Sequence, residues 1–204
     1  MYSVCAAVND VEVIKSPLDV KNGRFLPKTE EIISILSGPN AARIKLLFLT
    51  SPGNPTGTCI PNDLVRTILD HPTWRGLVIL DEAYIDFTEK TSAVALFDEG
   101  YQNLVVMQTL SKGFGLAGIR MGISFQSPEL AQILANTKAP YSIGTPTATV
   151  ALRALSKEVG FTLEYALPCP ADCFTTESAV DEANSKFASG EPHVAGRGAG
   201  ERVP

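Results

Sequence analysis

The chain has 204 residues, 45% hydrophobic and 19% charged, with a formal net charge of −5. This is the composition of a globular domain of ordinary size. It argues against a nucleic-acid-binding surface, and no run reaches the ~18 consecutive apolar residues of a membrane span.

At the N-terminus, Met1-Tyr2-Ser3-Val4-Cys5 lacks a basic segment leading into a long apolar one, so no secretory signal is read there. Val11-Glu12-Val13-Ile14 alternates and predicts a short strand. Pro27 and Thr29 open a helix over Glu30 to Leu36, with acidic residues in its first turn, and Ser37-Gly38-Pro39-Asn40 stops it. Leu46-Leu47-Phe48-Leu49-Thr50 is a continuous apolar run, the pattern of a strand buried on both faces of a parallel sheet. The turn-rich stretch Ser51 to Gly57 follows, and Pro61 then starts a helix that ends near His71-Pro72.

The cycle repeats. Leu77-Val78-Ile79-Leu80 is a second buried strand ending in Asp81-Glu82, and Leu104-Val105-Val106-Met107 is a third ending in Thr109-Leu110-Ser111-Lys112. Ile119 to Phe125 predicts a fourth strand. Ser127 caps a helix with Pro128 in its first turn, and Thr145-Pro146 opens a last helix through about Lys157. Strands alternating with helices predict an α/β fold with a mostly parallel sheet flanked by helices. Ligands of such sheets bind at the carboxyl ends of the strands, where the polar clusters lie. From about Val159 the periodicity is lost, and Gly196-Arg197-Gly198-Ala199-Gly200 cannot build a core, so residues 159–204 read as a disordered tail.

The four cysteines, Cys5, Cys59, Cys169 and Cys173, form no disulfide framework, and His71 and His193 are the only histidines available to complete a metal site. No metal is expected, and free thiols fit a reducing compartment, with the cytoplasm as the default. Leu80-Asp81-Glu82 looks like the acidic strand end of a P-loop ATPase, but the phosphate-cradling G-x-x-x-x-G-K-[ST] is missing. Gly113-Phe114-Gly115-Leu116-Ala117-Gly118 matches G-x-G-x-x-G, yet a strand rather than a helix is expected after it, and no acid stands about 20 residues on.

The chemistry concentrates in Asn54-Pro55-Thr56-Gly57, in Asp81-Glu82-Ala83-Tyr84, and in Thr109-Leu110-Ser111-Lys112 with Arg120 eight residues later. Singly, these are a turn, a strand end, a surface lysine and a surface arginine. As an ordered set, running on through Ser111-Lys112-Gly113-Phe114-Gly115-Leu116-Ala117-Gly118-Ile119-Arg120, they resemble the histidinol-phosphate aminotransferases of the fold-type-I pyridoxal-phosphate family, from Met1 to about Lys157.

The resemblance implies a pyridoxal-phosphate-binding large domain over residues 1–158, incomplete at its N-terminus. Lys112 matches the family's cofactor-binding and catalytic lysine. Asp81 matches the carboxylate that keeps the cofactor's ring nitrogen protonated, since opposite charge favours the protonated form. Asn54 and Tyr84 match the residues that hydrogen-bond the ring's phenolic oxygen. Thr109, Ser111 and Arg120 match the phosphate grip, for which a guanidinium fork is suited. The implied reaction moves an amino group between L-histidinol phosphate and 2-oxoglutarate, giving glutamate, within histidine biosynthesis, and family members pair as homodimers. Another fold-type-I aminotransferase, a phospho-amino-acid decarboxylase or a catalytically incompetent fragment are the alternatives.

Relatives carry a ring-stacking aromatic ahead of the stretch matching Met1 and a C-terminal small domain, neither of which is located here. A truncated gene reading and poor solubility of the isolated chain are therefore expected.

Overall fold

The architecture follows from four apolar runs. A computed structural model describes residues 1–156, so the tail reading and the domain boundary expected at 158 lie outside the described residues. In it, β3 (Leu46–Thr50), β4 (Leu77–Asp81), β5 (Leu104–Thr109) and β6 (Gly122–Phe125) form one sheet in that spatial order. The first three are parallel, with Thr50 opposite Asp81 and Asp81 opposite Met107. β6 returns antiparallel, with Thr109 opposite Gly122. The link between β5 and β6 carries only a 3-10 turn, Ala117–Ile119, and no crossover helix, which a parallel return would require. A separate two-stranded ribbon pairs β1 (Leu18–Asp19) with β2 (Leu26–Pro27).

Side chains alternate across a strand, and the register assigns each to a face. Leu49, Val78, Leu80, Leu104 and Val106 point to one side. There they pack with Ile32 and Leu36 of α2 (Thr29–Ser37) and Val65, Ile68 and Leu69 of α3 (Asn62–Leu69). Ala93 and Leu96, from the turn 93–99, complete this core. Phe48, Ile79, Asp81, Val105, Met107 and Thr109 point to the other side. Near that side lies the ring of Tyr2, on α1 (Tyr2–Val8), which stacks against Phe48 with centroids 4.7 Å apart.

Helix α4 (Pro128–Thr137) begins as its residues dictate. Ser127 Oγ accepts the Leu130 N–H at 3.3 Å, and Pro128 lies in the first turn. Helix α5 (Thr145–Leu155) is tied to the turn ahead of β6, where the Thr147 hydroxyl donates to the Ile119 carbonyl at 3.3 Å.

Two expectations are corrected, and one element is added. Residues 11–14 form no strand: Val11, Val13 and Ile14 are exposed, and no strand among the described residues pairs with them. The strand expected from Ile119 starts at Gly122, because Arg120 sits in the left-handed region at φ 54°, which extended backbone does not tolerate. Helix α1 was not anticipated. It has no side-chain cap and no acidic residue in its first turn, the signals by which helix starts are read.

Candidate active site

The three parallel strands deliver their following loops to one end of the sheet. Beyond β3, the Ser51 N–H donates to the Asp81 carbonyl at 2.9 Å and continues the ladder for one residue. The loop then closes on itself through Gly53 N–H to Thr58 O at 2.9 Å and Gly57 N–H to Gly53 O at 2.7 Å, which holds Asn54 outward at its tip. Beyond β4, the Glu82 N–H donates to Met107 O at 2.8 Å, after which the chain turns into Tyr84. Beyond β5, the loop carrying Lys112 is closed by Leu116 N–H to Leu110 O at 3.0 Å and Gly115 N–H to Lys112 O at 2.9 Å.

These loops bring several candidate groups together. The Asn54 amide donates to the Tyr84 hydroxyl at 2.9 Å. Lys112 Nζ stands 5.4 Å from the centroid of the Tyr84 ring, within range of the attraction between a cation and an aromatic face. Asp81 ends β4 with its carboxylate held at both oxygens. Oδ1 accepts the Ala83 N–H at 3.0 Å, and Oδ2 accepts the Tyr2 hydroxyl. Thr109 Oγ1 lies 3.0 Å from Ser111 Oγ, accepts the Ser111 N–H at 3.1 Å, and is 3.2 Å from Met121 O.

Arg120 is at the same end of the sheet, two residues ahead of the Gly122 that faces Thr109. Its exposed guanidinium donates to the Ala117 carbonyl at 2.9 Å rather than to Thr109 or Ser111. An open groove lined by Cys59, Asn62 and Lys90 holds none of the candidate residues.

Three further residues shape this region. Tyr2 reaches Asp81 from 79 positions away. Burial, then the hydrogen bond and charge of Asp81, push its phenol well above the usual range. Glu82 is fully buried on the core side of β4, where its carboxylate accepts the Ser92 hydroxyl at 2.5 Å, the Ala93 N–H at 2.8 Å and the Gln108 amide at 3.0 Å. Asp86 packs on Gly113, and burial together with the charge of Glu82 raises its carboxyl pKa. Period-two alternation applied past the strand end would have separated Asp81 from Glu82 in the sequence. Nothing local marked Tyr2 or Asp86.

The resulting donor set has a distinct chemistry. It offers an amine for a carbonyl carbon, a fixed carboxylate for a cationic N–H, and an amide–phenol pair for an oxyanion. Two hydroxyls and a guanidinium on one loop suit a phosphate.

The sequence model for "Aminotransferase class I and II" matches residues 1–165. The chain belongs to this aminotransferase family.

Curated relatives in the aminotransferase family include the histidinol-phosphate aminotransferase of Saccharomyces cerevisiae, 49% identical over 156 residues. That alignment covers 76% of this chain and 39% of the yeast protein. The Candida maltosa protein of the same name is 52% identical over 157 residues, again 76% of this chain and 39% of the relative. The chain thus spans about two fifths of the length of these relatives.

Among solved structures, the histidinol-phosphate aminotransferase of Clostridium acetobutylicum superposes with a TM-score of 0.62 at 22% identity. The match covers 90% of this chain and 48% of that one. The Sinorhizobium meliloti enzyme, solved in complex with pyridoxal-5'-phosphate, gives 0.61 at 19% identity, covering 92% and 44%. At these identities the structures establish the fold: a fold-type-I aminotransferase architecture, of which this chain forms part. No described helix is long and apolar enough to cross a membrane.

Proposed function

We propose that this chain carries the cofactor core of a histidinol-phosphate aminotransferase. In this reading it uses pyridoxal phosphate to move an amino group between L-histidinol phosphate and 2-oxoglutarate in histidine biosynthesis. The observation that carries the reading is the convergence of Lys112, Tyr84 and Asn54, with Lys112 Nζ 5.4 Å from the centroid of a ring whose hydroxyl takes the Asn54 amide at 2.9 Å, at the sheet end where Asp81 also stands. The substrate assignment is supported by the 49% and 52% identity to relatives bearing that name.

Pyridoxal phosphate supplies a carbonyl that captures amines and a protonated ring that withdraws electrons from the neighbouring carbon. The residues present fit it group by group. Lys112 Nζ would hold the carbonyl carbon. When not so engaged, Nζ would be the base that takes the proton from the substrate's amine-bearing carbon and delivers it to the cofactor's carbonyl-derived carbon. The Asp81 carboxylate would face the ring nitrogen and keep it protonated. Asn54 and Tyr84 would hold the phenolic oxygen, with their mutual hydrogen bond fixing both side chains beforehand. Thr109 and Ser111 would hold the phosphate through hydroxyls on the Lys112 loop, and Arg120 would do so by turning its guanidinium from Ala117. Free thiols at Cys5 and Cys59 suit a reducing compartment such as the cytoplasm. A pair of identical subunits is the proposed assembly.

The test is visible absorption of the purified chain with pyridoxal phosphate, beside a Lys112→Ala control. A borohydride-reducible band in the wild type that is lost in the control is the expected result. A folded wild-type chain with no band overturns the reading. Transfer from L-histidinol phosphate to 2-oxoglutarate, run against a panel of other amino donors, tests the substrate. Preference for another donor, or carbon dioxide release, would transfer the assignment to another aminotransferase or to a decarboxylase of this fold.

A further inference from the structure

We propose that Tyr2 is a positioning residue for Asp81, which it holds in the orientation that receives the cofactor's ring nitrogen. This rests on the proposed role of Asp81 as the partner of that nitrogen.

A lone carboxylate at a strand end can rotate about its last torsion, and its two oxygens then present a blurred target. Here each oxygen is engaged from a different direction. The backbone N–H of Ala83 donates to Oδ1 at 3.0 Å, and the Tyr2 phenol donates to Oδ2. A carboxylate has about four acceptor positions, so two such bonds fix its plane and leave room for a third donor. The phenol is itself fixed, because its ring is stacked on Phe48 of the adjacent strand at 4.7 Å between centroids, tilted by 34°. Burial and the Asp81 charge keep it protonated well past the usual tyrosine range, so it remains a donor throughout neutral and mildly alkaline pH. The bond joins α1 to the end of β4, segments 79 positions apart, and so ties the first described helix to the strand that carries the carboxylate.

A competing arrangement makes the opposite prediction. If the phenol occupied the seat of the ring nitrogen, removing it would ease cofactor entry.

The experiment uses the full chain and Tyr2→Phe, which keeps the ring on Phe48 and removes only the hydroxyl. Without cofactor, ionisation of Tyr2 is followed by NMR of its oxygen-bearing ring carbon, in the wild type and in Asp81→Asn. With pyridoxal phosphate labelled at its ring nitrogen, affinity is read from the visible band and ring protonation from the nitrogen chemical shift.

The Tyr2 ionisation should move towards the ordinary tyrosine range in Asp81→Asn. In Tyr2→Phe cofactor affinity should weaken on the order of tenfold, the equilibrium factor of one hydrogen bond to a charged group. The nitrogen shift should move towards the unprotonated value, with the melting temperature nearly unchanged. Unaltered affinity and nitrogen shift in Tyr2→Phe would reduce the contact to a structural one and overturn the inference, as would tighter binding. A wild-type chain that binds no cofactor, yet shows the Asp81-dependent ionisation, sinks the functional reading and the cofactor role of Tyr2 with it. A Tyr2 ionisation indifferent to Asp81→Asn sinks the pairing itself.

Discussion

Gly113, next to the candidate lysine, has no room for a side chain. A Cβ built there would lie 2.4 Å from Asp86 Cβ and 2.6 Å from Asp86 Oδ2. Gly113→Ala must therefore displace either Asp86 or the loop carrying Lys112. Overpacking of this kind costs about 1–3 kcal/mol, so a lowered melting temperature together with a weakened cofactor band is expected; an unchanged melt and band would contradict the contact. Burial first, and the charge of Glu82 second, raise the Asp86 carboxyl pKa in the folded state. The folded chain then binds that proton more tightly than the unfolded chain. The resulting stability is present below the ordinary carboxylate pKa and is lost as pH rises through the folded one. Asp86→Asn removes the charge and should melt higher than the wild type at pH 7, with the difference closing towards about pH 4. A difference that is equal at both pH values would refute the burial argument. Lys112, Asp81, Tyr84 and Asn54 could be named as candidates from the sequence because their motifs are local and ordered. Asp86 and Tyr2 were not, because their significance comes from partners that only the folded chain brings near.

Strand β4 illustrates what an element adds to its residues. Its last residue, Asp81, turns to the Phe48 face, and the next, Glu82, turns into the core, so two adjacent acids have unrelated tasks. Glu82 binds the turn 93–99 to the sheet through Ser92 and Ala93, and binds β5 through Gln108. Half-buried Lys90 is near enough for the Glu82 charge to oppose the burial that lowers its pKa. Glu82→Ala removes the buried acceptor of three donors, for which about 3 kcal/mol is the expected loss in chemical denaturation. Ser127→Ala removes one helix cap and should cost only about 1 kcal/mol. Comparable losses would mean that the Glu82 cluster is solvated. The apolar runs made β3, β4 and β5 readable, and the Ser127-Pro128 pair made α4 readable. Strand direction was not readable for β6, since alternation and propensity are the same for both directions. It follows from a connection too poor in helix to cross the sheet.

For the molecule as a whole, the sheet is covered unequally. Helices α2 and α3 close one face, whereas on the other face of β3, an edge strand among the described residues, Leu46 and Phe48 remain 49% and 41% exposed. Further apolar side chains emerge on α1 at Val4 and Val8, and on α5 at Leu152 and Leu155. The α/β class and the parallel core were evident from the order of apolar runs, but this asymmetry was not, because a run buried on both faces and a run buried on one differ only in their neighbours. An edge strand offers unpaired backbone groups, and contiguous exposed apolar surface favours association. Sedimentation velocity of the full chain should therefore show mass increasing with concentration. Leu46→Lys, which places a charge on the exposed edge at little cost to the core, should shift that association to higher concentration while leaving the unfolding transition in place. A monodisperse monomer that melts cooperatively at every concentration would mean that the exposed face is satisfied within the chain. Association indifferent to Leu46→Lys would move the contact away from the β3 edge, to the apolar stripes of α1 or α5.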